Sequence, residues 1–465
     1  MAGSGFSDLK PRLRGELLQP GDLGYEVARR VYNGMIDRRP AAVVRCADIA
    51  DVVHSLNYAR DNGILLAIRG GGHNGGGLGT CDDGLVIDLS RMRGIRVDPA
   101  AETVRVEGGC VWADVDHATH VFGQAVPSGM IASTGVAGLT LGGGIGHLTR
   151  RYGLTIDNLL SADVVLADGS LVTASEDHNV DLFWALRGGG GNFGVVTSFL
   201  FRTHPVSTVY AGPTFWPAER GPEVLRWYRE FLPSAPEELS GFFAYLVVPP
   251  APMFPEHLHM KKMCGIVWSY TGPLEDADNI FRPIRKFGPP ALEMIGPMPF
   301  PVLQSMFDAL YQPGMQWYWR ADFFKHLSDA FIAEHAEWGP KMPTMFSTMH
   351  LYPINGAAQR VGKNDTAFSY RDASFAQVIV GIDPDPANKE LISDWTKGYW
   401  EAVHPYSAGG GYVNFMMDEG QERVRASYRD NYPRLAAIKK KYDPQNLFRV
   451  NQNIRPAEET QSAST

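Results

Sequence analysis

The sequence is poor in cysteine. Among 465 residues there are four, at positions 46, 81, 110 and 264, and none belongs to a CxxC pair. This pattern predicts neither a disulfide framework nor a cysteine zinc site, and we interpret each of the four as a reduced core or loop thiol. No metal site is predicted.

Long apolar runs are also absent. No stretch reaches the roughly 20 apolar residues that cross a bilayer, and the opening MAGSGFSDLKPRL has no apolar centre of the kind found in signal peptides. These absences predict a cytoplasmic protein without a membrane partner.

Positive charge is sparse and dispersed. Lys and Arg number 43 against 51 Asp and Glu, which gives a net charge of −8, and the basic residues do not gather into runs. A nucleic-acid partner is therefore not expected, and a small organic molecule fits better. With 44% hydrophobic residues the chain is long enough for two packed cores.

The first part of the chain, residues 1–205, alternates short β-branched runs with helical patterns. AAVVRC at 41–46 and GLVIDL at 84–89 predict strands, and the apolar spacing over 49–61 predicts a helix. An α+β domain is indicated.

From residue 206 the sequence pattern changes. GFFAYLVV at 241–248 and SFAQVIVGI at 374–382 alternate as strands of an antiparallel sheet do, so residues 206–410 are predicted to form a second α+β domain. Residues 411–465 become charged and helical, and we expect this segment to pack back on the first domain through Val424, Tyr428, Leu435 and Ile438.

Two glycine-rich clusters satisfy the loose GxGxxG pattern, one from Gly70 to Gly75 and one from Gly189 to Gly194. A dinucleotide fingerprint requires a helix after the glycines, but a strand follows each cluster here. A Rossmann domain is therefore excluded. Successive backbone N–H groups could still bind phosphate at either cluster.

The first cluster contains His73 in RGGGHN. By itself such a residue is more often a loop histidine bonded to backbone. Together with TGVAGLTLGGGIGHLTRRYGLTIDNL from Thr134, LFWALRGGGGNFGVVT at 182–197, GYVNF at 411–415 and YDPQNLFRVNQNI at 442–454, however, it resembles the berberine-bridge-enzyme-like branch of the vanillyl-alcohol-oxidase flavoproteins. The resemblance covers nearly the whole chain in the right order.

This resemblance implies an α+β fold with a two-part FAD-binding domain of the PCMH type, followed by a substrate domain with an antiparallel sheet. It assigns to His73 the covalent bond to FAD. The other cofactor contacts that it implies are Arg69, Gly70, Gly71, Gly72, Asn74, Gly75, Pro127, Ser128, Gly129, Thr134, Gly135, Gly138, Gly194, Val195, Val196, Tyr412, Asn451 and Asn453.

The sequence departs from the branch at one position. Many members attach FAD a second time through a cysteine in a G-x-C-P stretch, whereas this stretch reads GMIASTG and places Ile131 there. We therefore expect one covalent bond and no cysteinyl link.

Four residues are candidates for the chemistry. Tyr412 resembles the family tyrosine that reaches the active site, with Asn414 predicted on the same strand face, although a half-buried strand tyrosine is the alternative. His350 could take a proton, or could be a strand histidine bonded to backbone. Gln377 is the polar residue on its strand face.

Two further positions bear on the substrate. By alignment, Ile379 occupies the place where some relatives carry a carboxylate or amide that acts on substrate, so that group is missing here. Trp317 and Trp319 share one strand face and predict an aromatic wall for a planar or sugar-like substrate, with core packing as the alternative.

The resemblance implies an oxidase. The enzyme would take hydride from an alcohol, phenol or amine carbon and pass the electrons to oxygen, giving hydrogen peroxide, and Thr134 is smaller than the leucine expected of a closed oxygen gate. A dehydrogenase with another acceptor remains open. So do a biosynthetic enzyme for oxidative cyclisation or oxygenation and a protein that holds flavin without turnover.

Overall fold

The computed structural model describes residues 6–458. The fold is mixed α and β, as the sequence predicts, and is built on three main sheets. Within the described residues no helix is long and apolar enough to span a membrane.

The first sheet has four strands in the order β1-β2-β4-β3, with β2, β4 and β3 parallel and β1 antiparallel. Its strands are β1 (Glu16–Leu18), β2 (Ala42–Arg45), β3 (Leu66–Arg69) and β4 (Leu85–Asp88). Helices α1 (Tyr25–Ala28) and α2 (Ile49–Asp61) belong to this part of the chain. The predicted helix over 49–61 is confirmed. Asp48 caps its first turn, and its apolar face is buried against the sheet.

The second sheet is antiparallel, in the order β5-β6-β10-β8-β9, and β7 pairs with β11 in a two-stranded ribbon. These strands are β5 (Ile95–Asp98), β6 (Thr103–Glu107), β7 (Gln124–Ala125), β8 (Leu159–Val165), β9 (Leu171–Ser175), β10 (Val195–Arg202) and β11 (His204–Pro205). The helices between them are α3 (Trp112–His120), α4 (Val136–Gly142), α5 (Thr149–Tyr152) and α6 (Val180–Leu186).

The third sheet is antiparallel and has eight strands. Seven follow the order β15-β12-β14-β13-β18-β19-β17, and the eighth, β16, also pairs with β12. They are β12 (Thr208–Pro217), β13 (Leu239–Val247), β14 (Lys262–Tyr270), β15 (Leu292–Glu293), β16 (Gly296–Pro299), β17 (Gln316–Phe324), β18 (Thr348–Pro353) and β19 (Phe375–Asp383). Both strands predicted at 241–248 and 374–382 are confirmed to within two residues.

Four helices cover one face of the third sheet. The helices of this part are α7 (Gly221–Phe231), α8 (Ala277–Lys286), α9 (Phe300–Gln304), α10 (Asp329–Trp338), α11 (Ala357–Arg360) and α12 (Lys389–Val403). Four of them, α7, α8, α10 and α12, pack on the face that carries Phe375 and Ile379. The opposite face, which carries Val378 and Val380, turns toward the first part of the chain.

The chain ends by returning to the second sheet. Helices α13 (Gly420–Tyr428) and α14 (Tyr432–Tyr442) share one apolar core with β6, β8, β10 and α6. Val424, Tyr428, Leu435 and Ile438 all face that core, so their predicted inward orientation is confirmed.

Candidate cofactor and substrate site

A cavity of about 320 Å³ lies where the face of the third sheet that carries Val378 and Val380 meets the first two sheets. Both glycine clusters, the loop after β7, the turn at 412–415 and the segment at 448–452 contribute to its wall. The only permanently charged side chain in the wall, among the residues that the structure describes, is that of Arg69. The cavity therefore joins predicted cofactor residues to the predicted substrate domain.

The first glycine cluster turns sharply as it leaves β3. Gly72 has φ +70°, a conformation that favours glycine. A Cβ on Gly71 would lie 2.5 Å from the Cα of Gly135, so the two backbones touch at the N-terminus of α4. No other residue type fits at Gly71, and the wall there is bare backbone of the kind that admits a phosphate or a flavin edge.

Arg69 holds this turn in place. Its guanidinium donates to Asp88 Oδ2 at 2.7 Å and to the backbone oxygens of Ala28 and Arg30. Because the Asp88 carboxylate already neutralises the guanidinium, Arg69 is better suited to fixing the loop than to binding the predicted pyrophosphate with its side chain.

His73 lies in the cavity wall with its ring stacked on that of Tyr32, the ring centroids 3.9 Å apart. Ser133 Oγ is 3.2 Å from Nε2, and Thr134 Oγ1 is 3.5 Å from Nδ1. Burial lowers the pKa of His73 to about 4. The imidazole is therefore neutral near pH 7, and a neutral imidazole has the free lone pair that alkylation requires.

Most of the predicted cofactor residues lie in the wall. Besides His73, they are Arg69, Gly70, Gly71, Gly72, Asn74, Gly129, Thr134, Gly135, Gly138, Gly194, Val196, Tyr412 and Asn451.

Five others are not among the residues that line the described wall, and their cofactor role stays a prediction. Val195 alternates with its neighbours along β10 and points into the core of the first sheet. A Cβ on Gly75 would lie 2.9 Å from the ring of Trp319, and Pro127 and Ser128 are buried. Asn453 is absent from the wall, and its backbone oxygen accepts from Gln421.

The sequence analysis left phosphate binding at the second glycine cluster open, but it did not name three residues there that line the cavity. Gly190, Gly191 and Asn192 line the cavity, and the Asn192 amide donates to the backbone oxygens of Gly189 and Gln452. The open suggestion that this cluster could bind phosphate was the available signal.

The wall has the features that FAD requires. It combines two backbone-lined turns, an apolar slot formed by Leu66, Ile68 and Leu89, and a neutral histidine. The buried Oδ1 of Asn451 has no hydrogen-bond partner among residues 6–458. An unpartnered buried acceptor of this kind is costly unless a ligand satisfies it, so the site fits an extended cofactor with hydrogen-bond donors.

The four cysteines are buried thiols, and none lies in the described wall. Burial raises the pKa of Cys81 to about 11 and that of Cys110 to about 12, so both stay protonated. Ile131 does line the cavity.

Tyr412 and Asn414 come together in the wall, but not on a strand. Residues 413–415 form a 3₁₀ turn, so the predicted shared strand face is wrong. The Tyr412 hydroxyl oxygen accepts from Gly144 N–H at 2.8 Å and from Asn414 Nδ2 at 2.7 Å. Burial raises the Tyr412 pKa to about 12 despite these two donors.

His350 also reaches the cavity. Its Nδ1 lies 2.6 Å from the hydroxyl oxygen of Tyr352, and its Nε2 makes no hydrogen bond to any residue in the described part of the chain. Burial lowers the His350 pKa to about 3, so the ring is neutral. The alternative of a histidine bonded only to backbone does not apply here.

Gln377 lies on the wrong face of the sheet. Its side chain packs against His335 under the helices, 3.3 Å from the ring, and does not reach the cavity. Ile379 shares that face, so the prediction that it stands at the substrate position is also wrong. Val378 and Val380 are the β19 side chains that line the cavity.

Seven aromatic side chains close a ring around one end of the cavity, which we call the aromatic belt. Its centroid distances are Phe242–Phe307 6.0 Å, Phe307–Tyr311 6.4 Å, Tyr311–Trp317 5.7 Å, Trp317–Trp319 6.0 Å, Trp319–Phe415 6.2 Å, Phe415–Tyr352 5.9 Å and Tyr352–Phe242 5.1 Å. The predicted wall of Trp317 and Trp319 is confirmed as part of it.

Comparisons with known proteins agree with this geometry. A family model for an FAD binding domain matches residues 40–175, and one described as berberine and berberine-like matches residues 411–455. An FAD-linked oxidoreductase of Dictyostelium discoideum is 33% identical over 429 residues, 91% of each chain.

Two further comparisons cover almost the full length. The (R)-6-hydroxynicotine oxidase of Paenarthrobacter nicotinovorans is 29% identical over 96% of this chain and 97% of its own. A crystal structure of 6-hydroxy-D-nicotine oxidase from Arthrobacter nicotinovorans has a TM-score of 0.85 at 27% identity, covering 96% of this chain and 98% of that one. The chain therefore belongs to the berberine-bridge-enzyme-like family of FAD-linked oxidoreductases, within the PCMH-type flavoproteins.

Proposed function

We propose that this enzyme is an oxidase that carries FAD on a single covalent bond to His73 and oxidises a small organic molecule with oxygen as the acceptor, giving hydrogen peroxide. The observation that carries the proposal is the neutral, stacked His73 imidazole on the wall of a cavity that also holds both glycine turns. Bound FAD supplies a two-electron oxidation by taking a hydride from a substrate carbon.

The chain's own residues hold the cofactor in three ways. The backbone at Gly70–Gly72 and Gly190–Gly191 would approach the phosphates, while Asn451 offers its unpartnered Oδ1 as an acceptor. Tyr32 fixes the plane of the His73 ring. Since Ile131 stands where a second link would need a thiol, one bond is proposed.

Two side chains divide the proton chemistry. The Tyr412 hydroxyl oxygen accepts two hydrogen bonds, and its pKa of about 12 keeps the O–H protonated. The O–H can therefore donate a hydrogen bond that positions a neighbouring group in the cavity. His350 is neutral, and its Nε2 faces the cavity, so its lone pair can accept a proton from a substrate hydroxyl or amine.

The covalent bond is tested by acid precipitation of the purified protein. The wild-type pellet should stay yellow, and the His73 peptide should carry the mass of one FAD. His73→Ala should release all colour to the supernatant, whereas His178→Ala, which changes an exposed histidine of the same part of the chain, should not. Colour released from the wild type would overturn the covalent bond.

Peroxide release separates the acceptors. Once a reducing substrate is found, one peroxide per substrate oxidised supports the oxidase. Turnover with a dye and no peroxide in air would instead identify a dehydrogenase. The small Thr134 beside His73 supports oxygen access.

A further inference from the structure

This inference deepens the proposed function and rests on it. We infer that the substrate is a neutral, largely apolar aromatic molecule whose hydroxyl is received by the pair His350 and Tyr352, and that charged molecules and sugars are excluded. Three features of the substrate end of the cavity support it.

The first is the absence of charge. Arg69 is the only permanently charged side chain in the described wall, and it is paired with Asp88 near the glycine turn. A carboxylate or ammonium substrate entering the aromatic belt would lose its hydration without gaining an opposite charge. Such a transfer is strongly unfavourable, so the cavity selects neutral molecules.

The second is the aromatic belt itself. Its rings meet at centroid distances of 5.1 to 6.4 Å and leave their faces and edges as the surface of the cavity. The aliphatic side chains of Val378, Val380 and Ile382 line the same cavity. A flat aromatic ring finds stacking partners here. A sugar would meet the Nε1–H donors of Trp317 and Trp319, which have no partner in the described part of the chain, but it would find too few acceptors for its many hydroxyls.

The third is the polar pair. His350 Nδ1 and the Tyr352 hydroxyl share one hydrogen bond of 2.6 Å. If Tyr352 donates to Nδ1, Nε2–H offers a donor to the cavity and the tyrosine oxygen an acceptor. If Nδ1–H donates instead, Nε2 offers the acceptor and the tyrosine O–H the donor.

In both tautomers the pair therefore presents one donor and one acceptor. A hydroxyl group matches this combination, because it also has one donor and accepts through its lone pairs. A carboxylate would need two donors, and an ammonium would need acceptors only. The pair thus binds a hydroxyl at one point of a largely aromatic belt.

Binding to the flavin-loaded protein tests the inference. We would use calorimetry under anaerobic conditions with 2-naphthalenemethanol, 2-methylnaphthalene, 2-naphthoate, 2-naphthylmethylammonium and cellobiose. The alcohol should bind at least about tenfold more tightly than the hydrocarbon, since it satisfies the polar pair, and more tightly still than either ion. Cellobiose should not bind detectably.

Variants assign the hydroxyl selectivity to the pair. His350→Leu and Tyr352→Phe should each reduce the preference for the alcohol over the hydrocarbon from about tenfold toward onefold. Met349→Leu is the matched control, because Met349 is the next residue on the same strand and faces the helices. It should keep the full preference.

The outcomes are separable. A folded protein without flavin absorbance would refute the proposed function. Flavin-loaded wild type that binds either ion or cellobiose as tightly as the alcohol, or that does not bind the alcohol, would overturn this inference alone. If both pair variants fail to fold, the five probes on the wild type still decide the substrate class.

Discussion

The ring of His73 lies against the ring of Tyr32, nearly parallel at an interplanar angle of 21° and a centroid distance of 3.9 Å. Tyr32 in turn donates its hydroxyl proton to the backbone oxygen of Tyr311 at 2.8 Å. The plane of the proposed flavin-linking imidazole is thus fixed by a residue from the start of the chain, which is itself anchored to the substrate part.

Tyr32 should therefore control how fast the flavin becomes linked. Tyr32→Ala removes a stack worth about 1 kcal/mol, which would slow attachment roughly fivefold by leaving the imidazole free to rotate. Tyr32→Phe keeps the ring and should link at close to the wild-type rate. The measurement is the fraction of flavin retained in acid-precipitated pellets over time. Equal rates in all three proteins would contradict the role.

The contact between Gly71 and Gly135 should tolerate no side chain. Gly71→Ala places a methyl group 2.5 Å from the Gly135 backbone, so the turn must open at a cost of about 1–3 kcal/mol. We expect a lower melting temperature and little bound flavin. Gly296→Ala, where a Cβ would meet nothing within 4 Å, is the control and should leave both unchanged. Normal flavin content in Gly71→Ala would show that the turn does not shape the cofactor site.

Removing the Tyr412 hydroxyl should leave two buried hydrogen-bond donors without their acceptor. Tyr412→Phe leaves the Gly144 N–H and the Asn414 amide without their acceptor, which costs about 1–3 kcal/mol in a buried place. We expect a lower melting temperature and reduced turnover at normal flavin content. The exposed Tyr406→Phe is the control. Unchanged stability and turnover in Tyr412→Phe would argue against a positioning role.

Asp116 should make the protein less stable as the pH rises. Its carboxyl is buried in α3 with no hydrogen-bond partner for either oxygen among the described residues, and burial, with a smaller effect from Asp308, raises its pKa well above the usual value. The folded state therefore keeps a proton that the unfolded state loses above about pH 4, so stability falls with increasing pH up to the folded pKa, by at most about 1.4 kcal/mol per unit.

Asp116→Asn removes that dependence. The melting temperature of the variant should exceed that of the wild type by a margin that widens from pH 5 to pH 7. A margin that stays constant across this range would show that the carboxyl does not change its protonation on unfolding.

Lys439 and Asp443 form an ion pair whose two side chains are both fully buried. The Lys439 ammonium also donates to the backbone oxygens of Asn192 and Phe448, which joins α14 to the second glycine cluster. Lys439→Met should cost about 3–5 kcal/mol because it leaves a buried carboxylate unpaired.

The double change Lys439→Met with Asp443→Asn should recover part of that loss by removing the orphan charge. Urea unfolding of the two variants measures the difference. A double variant less stable than the single one would contradict the explanation.

The sequence predicted the architecture well because local patterns decided it. The strand at Gly241 and the helix at Ile49 follow from apolar spacing alone, and the resemblance placed the glycine turns and His73 in one wall.

Predictions failed where tertiary contacts decide. Alternation along β19 separates Gln377 from Val378 correctly, but it cannot tell which face the helices cover. The turn after Tyr412 depends on hydrogen bonds to α4 and Gly144, from residues far away in sequence. The aromatic belt joins residues from five separate segments, so no local pattern could reveal it.

The return of residues 412–452 to the cavity sets an order of events during folding. Tyr412, Phe415, Asn451 and Gln452 complete a wall that Tyr32 and His73 begin. A folding intermediate in which residues 412–452 have not yet docked lacks part of that wall, even when the glycine turns have already formed. A cofactor can therefore be fully enclosed only after these residues have docked.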